Sequence, residues 1–316
     1  MNRASNNQRP SGRFLLASSA LRMLGATLLF SLMGLCVKLA SAHFSAAEIV
    51  AGRGLIGVLL IAALARHQRV PLRTKLPGMH LWRGTIGVAA LCLWFWAISG
   101  LPLATAMTLN QMSAIWMALF LLGGAVLMGA SRLDPRLLAT VLVGFVGVAL
   151  VLQPTFERNQ WPWALAGLAS GVLAAVAYLQ VTALGRAGEP ELRVVFYFSL
   201  AGTGAGGALM GIVPSTTELR AWTLESFALL AAVGLTASVA QILMTSAYTH
   251  GKVLVNASLN YSGIVFSALL GWWMFGEQPG WIATLGIALI IGAGWTATAL
   301  RTQQTSRTLP SDLHNE

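Results

Sequence analysis

Apolar residues run along the chain in ten long stretches, and short polar clusters separate them. The stretches fall at about 18–41, 46–65, 79–99, 103–128, 137–152, 162–184, 192–213, 225–248, 254–275 and 281–300. Runs of this length predict α-helices, because at 1.5 Å rise per residue they cross a hydrocarbon layer about 30 Å thick. Proline agrees with the division. All eleven prolines lie in tails, loops or stretch ends, where a missing N–H costs least.

Composition excludes a water-soluble reading. Only 9% of residues are charged and the mean hydropathy is +0.70, too few charges to cover a soluble surface. The net charge of +10 is scattered over the loops and forms no single patch, so nucleic acid is not an expected partner; the lipid bilayer is. The scatter has a direction. Sixteen Lys and Arg, Arg22, Arg66, Arg83, Arg132, Arg186 and Arg301 among them, fall on the side that would hold both termini, against Arg158 and Arg220 on the other. The bias predicts that both termini are cytoplasmic. The apolar run from Leu15 to Val37 exceeds the core of a signal peptide, and Lys38 interrupts the approach to Ala40-Ser41-Ala42, so the first stretch is expected to stay. Cys36 and Cys92 lie inside stretches and predict apolar packing, not a disulfide.

The chain repeats itself. Ala97–Leu119 can be laid on Ala247–Leu269 at an offset of 150, which brings Asn110 onto Asn260. Val143-Gly144 and Leu285-Gly286 fit at an offset of 142. The expected units are a tail over 1–16, a first repeat over 17–152, a second over 160–299 and a tail over 302–316. Five stretches per repeat force the second copy to enter the membrane from the opposite side. The expected fold is therefore an all-α integral membrane protein with ten transmembrane helices in two inverted five-helix repeats, an architecture suited to alternating access around a midplane site.

Leu101-Pro102-Leu103-Ala104-Thr105-Ala106 leading into Leu109-Asn110, with Arg53-Gly54 in the second stretch, resembles the drug/metabolite transporter superfamily and its ten-helix EamA-type branch. Leu259-Asn260-Tyr261-Ser262 and Phe275-Gly276-Glu277 resemble the matching elements of the second repeat. The resemblance implies a carrier of the bacterial inner membrane, a basket of two inverted repeats around a central cavity. Met128-Gly129-Ala130-Ser131-Arg132 has no glutamate to match Glu277, which puts any symmetrical role for that acid in doubt.

Polar residues inside the stretches nominate the site. Asn256, Asn260, Gly263 and Ser267 form one helical stripe, and Ala106, Asn110, Ser113 and Met117 form a related one. Amides facing lipid would lack partners, so both stripes are expected to face inward, either as pathway lining or as ties between helices. Tyr178, Gln180, Gln241 and Tyr261 add hydrogen-bonding groups, and Trp94 an aromatic wall. Of the charges inside the stretches, Lys38 is expected to snorkel to the interface and Arg53 to hold a substrate carboxylate, with Glu48 as its competing partner. The candidate substrate-binding residues are thus Arg53, Trp94, Asn110, Ser113, Tyr178, Gln180, Gln241, Asn256, Asn260 and Tyr261.

No Asp or Glu lies mid-stretch, which disfavours coupling through a buried acid and favours facilitated movement or exchange. The five histidines sit at loops or ends without metal-ligand spacing, and no GxxxxGK[ST] phosphate loop is present, so neither a membrane enzyme nor a nucleotide hydrolase is expected. No cofactor and no metal is expected. The expected function is a secondary transporter exporting small amino-acid-like or amino-acid-derived metabolites, amino-acid-based metallophores included. Uptake of a vitamin or nucleoside-like cofactor, such as riboflavin or S-adenosylmethionine, is the alternative, and a membrane-embedded enzyme or assembly factor is the rival from another class. Monomer and homodimer both stay open.

Overall fold

The computed structural model describes residues 12–127, 135–157, 159–212, 223–251 and 253–307. The first repeat contains α1 (Gly12–Ala40), α2 (Ala46–His67), α3 (Pro77–Gly100), α4 (Leu103–Gln111), α5 (Ser113–Leu127) and α6 (Pro135–Glu157). The second contains α7 (Trp161–Arg186), α8 (Glu191–Ile212), α9 (Leu224–His250), α10 (Val253–Asn260), α11 (Ser262–Phe275) and α12 (Trp281–Arg307). Twelve helices make ten crossings, because α4 and α5 are one span broken at Met112, and α10 and α11 one span broken at Tyr261. Each break comes within two residues of the asparagine that the repeat alignment superposes, Asn110 in one half and Asn260 in the other. At the first break the Met112 amide turns back to both Thr108 and Leu109 carbonyls, a tightened turn. Interrupted helices at corresponding places in inverted repeats are a mark of transporter sites.

Helix pairing shows the pseudo-two-fold directly. The α1–α9 contact has its counterpart in α3–α7, and α2–α9 in α3–α8, while α2–α8 and α6–α12 pair across the axis. All of these join one repeat to the other. The paired surfaces meet through glycine. A Cβ on Gly54 would lie 2.5 Å from the Thr203 amide, and one on Gly206 2.6 Å from the Ala51 amide, so α2 and α8 touch backbone to backbone. Gly147 and Gly286 do the same for α6 and α12, each Cβ falling within 2.8 Å of the other's carbonyl oxygen. Without a hydrophobic drive between helices in lipid, such close approach supplies the dispersion contacts that hold a bundle together. Gly207 and Gly211, four apart on α8, face open space.

Each end of the bundle carries a polar tie between the repeats. On the end where α1 begins, Glu189 in the α7–α8 turn accepts from Thr74 Oγ1 at 2.9 Å and Arg193 Nη1 at 2.9 Å, and lies 3.2 Å from His80 Nε2. Arg193 also donates to the Pro71 carbonyl at 2.7 Å, which clasps the α2–α3 loop to the second repeat. Burial pushes the Glu189 carboxyl up, but hydrogen bonds from Thr74, Arg193 and His80 outweigh it and hold the group below the usual carboxylate range. A depressed pKa contributes stability above the ordinary value of 4.5 that is lost as pH falls through the lowered one. Glu189→Gln is therefore expected to lower the thermal midpoint at neutral pH, with the gap to wild type closing below pH 4.5. A gap that stays constant into acid would remove the carboxylate from the account.

At the opposite end, Lys38 on α1 pairs with Glu277 and donates to the Leu101 carbonyl at 2.8 Å. The lysine expected to snorkel is instead an ion-pair member, because the α11–α12 loop brings a carboxylate within reach. Glu48, named from the sequence as a competing partner for Arg53, is buried and forms a capping box with Ser45 at the start of α2.

Candidate functional site

A cavity lies where the two repeats meet, lined by residues from α1, α2, α3, α4, α7, α8, α9 and α10. The α6–α12 pair stands outside it. Six of the ten sequence candidates line the cavity: Arg53, Trp94, Asn110, Tyr178, Gln241 and Asn260. Asn110 and Asn260 are there because each sits beside its helix break. Asn110 Nδ2 donates to Ser170 Oγ at 2.9 Å, and Asn260 Nδ2 donates to Gln111 Oε1, so each amide reaches a residue of the other repeat. Gly171 lets α7 approach this point, since a Cβ there would lie 2.7 Å from the Leu109 carbonyl oxygen.

Four candidates lie off the lining. Asn256, a turn before Asn260, donates to the Ala247 carbonyl and lies against Ser19, so it ties α10 to α9 and α1. Ser113 is fully buried beyond the first break and is not among the residues that line the cavity. Tyr261 occupies the second break itself and is buried there. Gln180 follows Tyr178 by two residues, about 200° around the helix, which directs it elsewhere. Of the central tryptophans only Trp94 lines the cavity; Trp96 is exposed beside Trp163, and Trp116 packs against Phe145.

Sequence reasoning missed Arg83, Gln111 and Phe198. Arg83, grouped with the loop cations, is 3% exposed and sits in the cavity wall beside Arg53, which is 4% exposed. Its helix starts at Pro77, so Arg83 lies almost two turns in, and its long side chain extends further along Gly87. A Cβ on Gly87 would fall 1.8 Å from Arg83 Nη1, so the guanidinium occupies the space that glycine leaves free. The arginine four residues before a glycine, on the face that also bears Trp94, was the available signal. Both guanidiniums lie over one ring, with Cζ of Arg83 4.1 Å and Cζ of Arg53 5.1 Å from the Phe198 centroid. The ring's negative face attracts each cation. An arginine at mid-bilayer depth costs about 2.5 to 3.5 kcal/mol or more, and the ring compensates only part of that for two. Asp and Glu are not among the described residues that line the cavity. Such a site favours an anion.

Comparison with known proteins fits this architecture. The EamA-like transporter family profile matches residues 17–153 and again 161–297, one match per repeat. The pseudopaline exporter CntI of Pseudomonas aeruginosa is 35% identical over 88% of this chain and 95% of its own length. A riboflavin transporter of Rhizobium johnstonii is 28% identical over 87% of this chain and 88% of its own, and an S-adenosylmethionine uptake transporter of Rickettsia bellii 23% over 75% and 77%. A solved crystal structure shares the fold, with a TM-score of 0.67 over 91% of this chain and 99% of that one at 22% identity. With two profile matches spanning both five-helix halves around one polar cavity, the chain belongs to the EamA-like transporter family and is a multi-pass membrane transporter of small molecules.

Proposed function

We propose that the protein exports small amino-acid-like or amino-acid-derived metabolites, amino-acid-based metallophores among them, across the bacterial inner membrane by alternating access around the central cavity. The observation that carries this reading is the buried Arg53 beside the Asn110 and Asn260 amides at the paired helix breaks. A guanidinium takes a carboxylate in bidentate fashion, amides serve its polar neighbours, and Trp94 and Tyr178 face an apolar side chain. The exporter relative supports the direction. Both termini lie in the cytoplasm on this reading, as the loop cations indicate. The lining offers hydrogen bonds and positive charge, which suits a carrier of carboxylates.

Tyr178, which lines the cavity and is backed by the buried Tyr248 ring with centroids 5.4 Å apart, supports a second reading in which a flat heteroaromatic solute is taken up. Metabolite profiling of cells and medium with and without the gene separates the two. Export predicts an amino-acid-derived solute that appears in the medium only when the gene is present, and at least about tenfold less of it with Arg53→Ala or Asn260→Ala at normal membrane levels. Gene-dependent accumulation of a vitamin or nucleoside inside cells would favour the second reading, and unaltered export by both variants would reduce these side chains to packing.

A further inference from the structure

Resting on the reading of this cavity as a carboxylate-binding export site, we infer that the transported solute carries two acidic groups, one for Arg53 and one for Arg83. The two guanidiniums share the Phe198 ring within a wall that has no acid among its described residues. Their remaining hydrogen-bonding capacity points the same way. Arg53 Nε, Arg83 Nε, Arg83 Nη1 and Trp94 Nε1 are buried N–H groups without a partner in the protein. All three side chains line the cavity, where the protein supplies these four N–H groups with no acceptor. The Gln111 side-chain oxygen is taken by Asn260 and does not serve them.

Charge decides between solute classes. A zwitterion with one carboxylate and one ammonium adds no net charge to a doubly cationic wall and pairs only one guanidinium. A second carboxylate neutralises the other and meets the free donors with acceptor oxygens. Phe198 fixes the arrangement, because both side chains rest on it and Gly87 leaves the space that Arg83 fills beside the ring. The structure assigns Arg83 as the residue that selects dicarboxylates over monocarboxylates.

The test uses the full chain, purified and reconstituted in liposomes, with two solutes that share one side chain. L-leucine has one carboxylate and N-carboxymethyl-L-leucine has two. Wild type is expected to bind the dicarboxylate at least about tenfold more tightly, by thermal shift and by competition in flux. Arg83→Gln is expected to erase that preference, and Arg83→Lys, which keeps the charge, to retain part of it. Equal affinities in wild type, or a preference that survives in Arg83→Gln, would overturn the inference. So would failure of both solutes to bind folded wild type. The export reading fails on different evidence: a released solute with one carboxylate refutes only the two-acid inference, whereas no gene-dependent release at all refutes export.

Discussion

Gly54→Leu is expected to leave almost no folded protein in the membrane. The Cβ alone would stand 2.5 Å from the Thr203 amide and 2.8 Å from the Ser199 carbonyl oxygen, both in the backbone of α8. A side chain could turn aside, but a helix backbone cannot without moving the whole α2–α8 pair. Overpacking a core costs about 1 to 3 kcal/mol when side chains can yield, and more is expected where they cannot. Because α2 carries Arg53 and α8 carries Phe198, the same displacement would also dismantle the cavity wall. Gly207→Leu is the control, since its Cβ meets nothing within 4 Å. Membrane abundance and a monodisperse profile in mild detergent check both; normal levels for Gly54→Leu would mean that this pairing is looser than the geometry shows.

Glu277→Ala ranks next. It removes the carboxylate that pairs with Lys38 and accepts the Leu103 amide at 2.7 Å, where α4 begins. The side chains of the pair are 19% and 17% exposed, so an orphaned Lys38 cannot be fully hydrated. Loss of one partner from a buried pair costs about 3 to 5 kcal/mol, and the residual exposure here brings the expected value down to about 2 to 3 kcal/mol. Lys38→Ala with Glu277→Ala should recover part of the thermal midpoint, because no charge is then stranded. A double-mutant cycle measures this, and strict additivity would show that the pair does not act as a unit. The tie also bears on transport. Glu277 joins α1, the start of α4 and the loop before α12, so parting the two repeats at this end requires breaking it, and Glu277→Ala is expected to populate the open form more.

Much of the architecture was legible in the residues because membrane crossing imposes length and apolarity on each helix separately. Ten crossings, the internal repeat and the inward-facing asparagines all follow from local sequence. The helix breaks were less legible. No proline or glycine marks Met112 or Tyr261, yet the helix is interrupted at each. Arg83 was misplaced for a related reason: near a helix start, a cation in the interface and one folded inward along a glycine look alike in sequence. Lys38 and Glu277 stand 239 residues apart, so no local pattern joins them.

The order of residues alone determined that this chain is a ten-crossing, duplicated membrane protein with amides and at least one arginine turned away from lipid, since the bilayer charges its cost to each segment independently. Only the tertiary structure decided which polar groups share a cavity and which merely tie helices. Asn260 and Asn256 lie one turn apart on the same face, yet one lines the cavity and the other holds α10 to its neighbours. That choice depends on how α10 meets α1, α4 and α9, and interhelical distances are set by packing between segments far apart in the chain, not by the composition of any one of them.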